Sequence, residues 1–170
     1  VLLAGCMKWD YGLQESFNET GEGLFITNEG NFQYGNASLS FYNPTTRKVE
    51  NEVFYRANGM KLGDVAQSMI IRDGIGWVVV NNSHVVFAID INTFKEVGRI
   101  TNFTSPRYIH FLSDEKAYVT QIWDNRIFIV NPKQYRTMYE GNEVTAKYRP
   151  LPLPLNRKRI WAKIISKKNP

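Results

Sequence analysis

Short apolar runs alternate with turn-forming residues along most of this chain. Between residues 68 and 140, runs rich in Val, Ile, Phe, Tyr and Trp are broken by Asp-Gly, Asn-Asn-Ser, Ser-Asp-Glu and Asn-Pro. β-branched and aromatic side chains suit a pleated, half-buried surface. The breaks supply a positive φ, a fixed φ, or a side chain that bonds nearby backbone. The pattern predicts strands over 68–72, 76–81, 85–90 and 96–100, then over 107–112, 116–121, 126–131 and 136–140. No window holds a 3.6-residue apolar period, so no helix is predicted.

The runs repeat. Trp77, Phe87 and Ile89 are matched 41 residues later by Tyr118, Phe128 and Val130, and the same offset carries Asp73 to Asp114 and Ile70 to Phe111. An earlier copy is partial. Gly23–Asn28 matches the run at Gly76 with an offset of 53, and Ser38–Asn43 matches the run at Val85 with an offset of 47. The loop after Asn28 is therefore predicted to be six residues longer than the loop after Asn81. A period of about 40 residues built from four short strands is the signature of a propeller blade. Two adjacent β-meanders of a sandwich are the competing reading, and the constancy of the offset argues against it. The predicted fold class is all-β, a β-propeller fragment of about two and a half to three four-stranded blades. A ring needs about 4–8 blades, and only about two and a half to three are legible in these 170 residues, so the chain is expected to be part of a larger ring.

In such a ring the segments 28–36, 57–67, 81–84, 101–106 and 121–125 gather on one face. That face is the predicted ligand face. It carries Asn28, Phe32 and Tyr34 in the longer loop, Asn81 and Asn82 in the next, and Arg107, Tyr108, Trp123 and Asp124 from the last repeat. Aromatic rings stack on flat ligands, and amides with one Arg fix orientation, so the set suits a large, flat, polar molecule. The alternative for Tyr108 and Trp123 is packing between blades. His84 reads as a turn residue rather than a metal ligand, since His110, the only other histidine, falls inside a strand. No metal site is predicted. Asp64, Asp73 and Asp114 read as turn-capping residues.

Charge changes the picture at one end only. The chain is +5 overall, yet from Val144 onward it holds eight Lys or Arg and no Asp or Glu, so the remainder is net negative. Residues 142–170 are read as a basic, Pro-containing tail outside the repeat, since Pro150, Pro152 and Pro154 cannot donate to a central ladder. A nucleic-acid patch there has no recognisable fold around it, and no nucleic-acid partner is expected. At the other end, Val1-Leu2-Leu3-Ala4-Gly5-Cys6 reads as the close of a lipoprotein signal. Residues 1–5 would be removed, Cys6 would carry the lipid, and residues 6–22 would tether it to the repeats at 23–141. Cys6 is the only cysteine, so no intrachain disulfide is expected. No Gly-x-Ser-x-Gly elbow, His-Glu-x-x-His or phosphate loop is present, and no enzymatic activity or cofactor is expected.

Leu62–Met69, Gly76–Ser83 and Thr104–Phe111 together resemble the YncE-like propeller lipoproteins of gut bacteria, often described as surface-layer or DUF5074-type proteins. The resemblance covers about residues 23–135. It implies a seven-bladed ring, lipid anchoring in the bacterial outer membrane at the cell surface, and a non-catalytic binding role. One branch of the family is similar to lipoproteins that capture cobalamin for a TonB-dependent transporter. The resemblance thus implies a corrinoid ligand and a transporter partner. An envelope propeller that binds other proteins, or a hydrolase or lyase on the same fold, are the alternatives.

Overall fold

The computed structural model describes residues 17, 20–143 and 162–167. Cys6, the signal-like residues 1–5, most of the 6–22 tether and the Pro-rich run lie outside the described residues. The elements in chain order are β1 (Gly23–Asn28), β2 (Ser38–Asn43), β3 (Lys48–Glu50), α1 (Val53–Asn58), β4 (Ala66–Arg72), β5 (Ile75–Val80), β6 (Val85–Asp90), β7 (Glu96–Ile100), β8 (Pro106–Phe111), β9 (Ala117–Gln121), β10 (Arg126–Asn131), β11 (Arg136–Glu143) and β12 (Ala162–Lys167). A 3-10 turn, Pro132–Gln134, joins β10 to β11.

The strands form three four-stranded antiparallel sheets, ordered β12-β1-β2-β3, β4-β5-β6-β7 and β8-β9-β10-β11. β12 lies against β4 and β4 against β8, so the first strands of the sheets neighbour one another. This is the blade arrangement of a β-propeller, seen here over three sheets. The middle sheet is covered on both faces. Its central strands therefore read as unbroken apolar runs, Ile-Gly-Trp-Val-Val-Val and Val-Val-Phe-Ala-Ile-Asp, with every residue from Gly76 to Val80 and from Val85 to Ile89 buried. β1 alternates buried and half-buried positions, as a strand packed on one face does.

Two cores result. Phe25, Leu39 and Phe41 of the first sheet meet Val78, Val80, Phe87 and Ile89 of the second, with Phe94 from the β6–β7 turn among them. The rings of Phe25 and Phe41 stand 5.8 Å and 5.5 Å from that of Phe94. Trp77, Val79, Val86 and Ala88 on the opposite face meet Ile109, Val119, Phe128 and Val130 of the third sheet. The Asp73-Gly74 turn has φ 51° and 75° at its two residues, the signature of a primed two-residue hairpin.

The structure revises four details. First, residues 162–167, set outside the repeat on sequence, form β12 and pair along the whole of β1, from Gly23 opposite Lys167 to Asn28 opposite Ala162. Second, the match of Gly23 to Gly76 is one residue out. Phe25 pairs with Phe41 on the face turned to the middle sheet, as Trp77 pairs with Ala88 on the face turned to the third. A one-residue slip would turn Phe25 to the other face. The loop 29–37 has nine residues against four in 81–84, an excess of five rather than six.

Third, Ile70 corresponds to His110, not Phe111. Ile70 pairs with Trp77 and His110 with Tyr118, while Met69 and Ile109 are both buried. The 41-residue offset holds for the second and third strands. It falls to 40 in the first, because the β8–β9 turn is longer than Asp73-Gly74. Fourth, α1 was not predicted. Its six residues make less than two turns, too few to show a period. Val53 and Phe54 are buried, the Phe54 ring lies 5.1 Å from Phe87, and Gly59 closes the helix at φ 69° with its N–H on the Tyr55 carbonyl.

Candidate functional site

The loops predicted to share a face do so, and backbone hydrogen bonds knit them. Ala66 donates to the Glu29 carbonyl, Ala37 to Gly63, Asn81 to Val65, Asn82 to Asp64 and Ile122 to Ser105. Between them lies an open depression of about 460 Å³. Phe32 from the β1–β2 loop, Asn81 from the β5–β6 loop, Arg107 from the start of β8 and Trp123 from the β9–β10 loop all line it, with Glu29, Val65 and Ile122. Phe32 is 62% and Trp123 77% exposed, so neither ring is engaged in packing. Among the described residues, the Arg107 guanidinium and the Glu29 carboxylate have no hydrogen-bond or ion-pair partner. The groove thus offers two aromatic surfaces and two unneutralised charges of opposite sign.

The other predicted site residues sit elsewhere. Asn28 donates its amide to Ser38 Oγ and Ser40 Oγ across β1 and β2. Asn82 donates to Asp64 Oδ2 at 2.6 Å. Asp124 accepts from the Arg126 backbone and guanidinium, and this pairing holds its carboxyl below the usual carboxylate range. Tyr34 is exposed but does not line the depression, and Tyr108 is half exposed on β8, outside both cores. Asn81 has a double role: it lines the groove while its buried amide donates to the Pro106 carbonyl at 2.8 Å. His84 closes the 81–84 turn at φ 57°. His110 is exposed on β8.

Sequence reasoning missed Asp64 as a structural hub. It is 8% exposed, its Oδ2 accepts from the Gln33 N–H and from Asn82, and its own N–H donates to Ser83 Oγ. Its Oδ1 is buried without a partner. The next residue, Val65, lines the groove at φ 65°, a conformation a β-branched side chain rarely adopts. Asp73 and Asp114 do not share this role; they flank Arg72 on the opposite face. A smaller hollow of about 240 Å³ lies between the start of β2 and α1, beside Tyr55 and Lys61. Among the described residues, no three His, Cys, Asp or Glu side chains gather to hold a metal ion. No described helix is long and apolar enough to cross a membrane.

Comparison with solved structures gives the fold. A quinonprotein alcohol dehydrogenase-like protein from Bacteroides thetaiotaomicron matches 75% of this chain over 31% of its own, with a TM-score of 0.59 and 14% identity. AztD from Citrobacter koseri matches 75% of the chain over 36% of its own, with a TM-score of 0.48 and 15% identity. Hydrazine synthase from Kuenenia stuttgartiensis matches 59% over 28%, with a TM-score of 0.48 and 18% identity. The chain spans about a third of these structures. At such identities the first comparison speaks for architecture alone, and the other two carry no argument. No curated protein matches the chain. The model of DUF5074, a domain of unknown function, matches residues 22–148, and the chain belongs to this β-propeller family.

Proposed function

We propose that this protein is a non-catalytic binding propeller that holds a flat, polar small-molecule ligand in the depression between its loops. The convergence of Phe32, Trp123 and the unpartnered Arg107 on one groove is the observation that supports this reading. Aromatic surfaces with a few placed polar groups are what small-molecule sites consist of, and about 460 Å³ falls in the usual size range. A corrinoid is the leading ligand, carried from the family resemblance. It is larger than the groove, so one edge or face of it would sit there, with the rest in solvent or against further protein.

On this reading the protein is anchored to the outer membrane through lipid on Cys6, displayed at the cell surface, and passes its ligand to a TonB-dependent transporter. Titration with cyanocobalamin, followed by calorimetry, tests the ligand. Saturable binding at micromolar concentrations supports the corrinoid reading, and no heat at that concentration removes it. Metabolic labelling with radioactive palmitate tests the anchor, with Cys6→Ser expected to lose the label.

A second reading has its own observation. Tyr34, 75% exposed, extends the aromatic surface beyond the depression. Exposed aromatic clusters mark protein contacts as well as ligand sites. An envelope partner captured equally well with and without corrinoid would favour an interaction propeller.

A further inference from the structure

The arginine of the groove is placed by a device that occurs twice. The first strands of the middle and third sheets each carry a β-bulge at the same point. Ala66 pairs with Val80 and Ser68 with Val79, leaving Gln67 as the extra residue; Pro106 pairs with Gln121 and Tyr108 with Thr120, leaving Arg107. A bulge takes one residue out of the ladder and re-aims its side chain. The two bulges abut, since Ser68 Oγ donates to the Arg107 carbonyl at 2.7 Å. The Asn81 amide holds the preceding Pro106 carbonyl. The backbone under Arg107 is thus clamped from the middle sheet on both sides, while its guanidinium, at the groove, is left without a partner.

We infer that Arg107 is an oxyanion receptor and that the ligand class is a flat ring system bearing a phosphate or carboxylate. This rests on the depression being the ligand groove. A guanidinium matches the two oxygens of such a group with parallel N–H donors, and a rigid backbone lowers the cost of orienting them. Trp123 and Phe32 supply the ring contact. Glu29, in the same groove, repels a second anionic group, so the ligand carries its oxyanion at one end only.

The test compares probes with the same ring and different charge, using the 170-residue chain. Flavin mononucleotide is set against riboflavin for phosphate, and pyrene-1-carboxylate against pyrene-1-methanol for carboxylate, with binding read by fluorescence. The charged member of at least one pair is expected to bind about tenfold to a hundredfold more tightly, the scale of a charge-assisted hydrogen-bond pair. Arg107→Gln abolishes that preference, Arg107→Lys keeps part of it, and Glu29→Gln increases it. Raising the salt concentration weakens only the charged probes, a readout that needs no variant. Equal binding of both members of both pairs, or a preference that survives Arg107→Gln, overturns the inference while leaving the groove reading intact. Failure of all four probes to bind overturns the inference, and the groove reading falls with it only where cyanocobalamin also fails to bind.

Discussion

The Asp64 carboxylate accepts the Asn82 side-chain amide at 2.6 Å, and the same oxygen accepts the Gln33 N–H at 2.7 Å. One buried side chain therefore fixes the β5–β6 loop and the β1–β2 loop that carries Phe32. Asp64→Ala leaves both donors without their acceptor in a part-buried setting, at a cost of about 1–3 kcal/mol. For a domain of this size that is a drop of about 2–4 °C in Tm per kcal/mol. Thermal unfolding measures it, and an unchanged Tm would show that the two loops hold their places without Asp64.

Trp123 separates binding from stability. Its ring is 77% exposed, so Trp123→Ala is expected to change unfolding free energy by no more than about 0.5 kcal/mol. Any stacked ligand loses about 0.5–1.5 kcal/mol of contact, a weakening of about twofold to tenfold. Denaturant titration and probe binding on one preparation check both halves. A clear loss of stability would mean that the indole packs rather than waits for a ligand.

The middle sheet was the most legible part of this chain because it is buried on both faces. Continuous runs such as Trp77–Val80 and Val85–Ile89 announce themselves without any help from register. Alignment of the outer repeats was less secure. A strand's face depends on parity, and an offset of 53 instead of 52 moves Phe25 from core to surface without changing the apparent match. β12 was hidden because its partner, β1, lies far away in sequence and a basic composition masked its pairing. At the groove, the residue types were readable but their hydrogen bonds were not. Asn28, Asn82 and Asp124 look available in the sequence and are committed in the fold, while Arg107 looks the same and is not.

Asp124 gives a pH signature of defined sign. The hydrogen bond from Arg126 lowers its pKa in the folded protein. A carboxylate with a depressed folded pKa contributes stability that is present above its unfolded pKa and is lost as pH falls through the folded one. The contribution is thus full near neutrality and fades as pH falls into and through the ordinary carboxylate range. Tm differences between the wild type and Asp124→Asn, measured from about pH 7 down to about pH 3, should shrink toward the acid end. A difference that stays constant, or grows, would show that the Arg126 pairing carries no net stability.

β12 yields the sharpest contrast between two views of the C-terminal segment. A solvated tail can be removed without consequence. A strand paired with β1 over Gly23–Asn28 cannot, because its loss leaves that edge of β1 with unmatched N–H and C=O groups, which destabilises the first sheet and invites edge-to-edge association. At about 1 kcal/mol per lost backbone hydrogen bond, deletion of residues 162–170 is expected to cost on the order of several kcal/mol and to raise light scattering at a given concentration. Proline scanning refines the test. In an antiparallel pair, adjacent residues alternate between hydrogen-bonded and non-hydrogen-bonded positions. Of Ile164→Pro and Ile165→Pro, one therefore removes a ladder donor and the other does not, and their Tm values should differ. Equal, wild-type-like melting of both variants would place this segment outside the sheet.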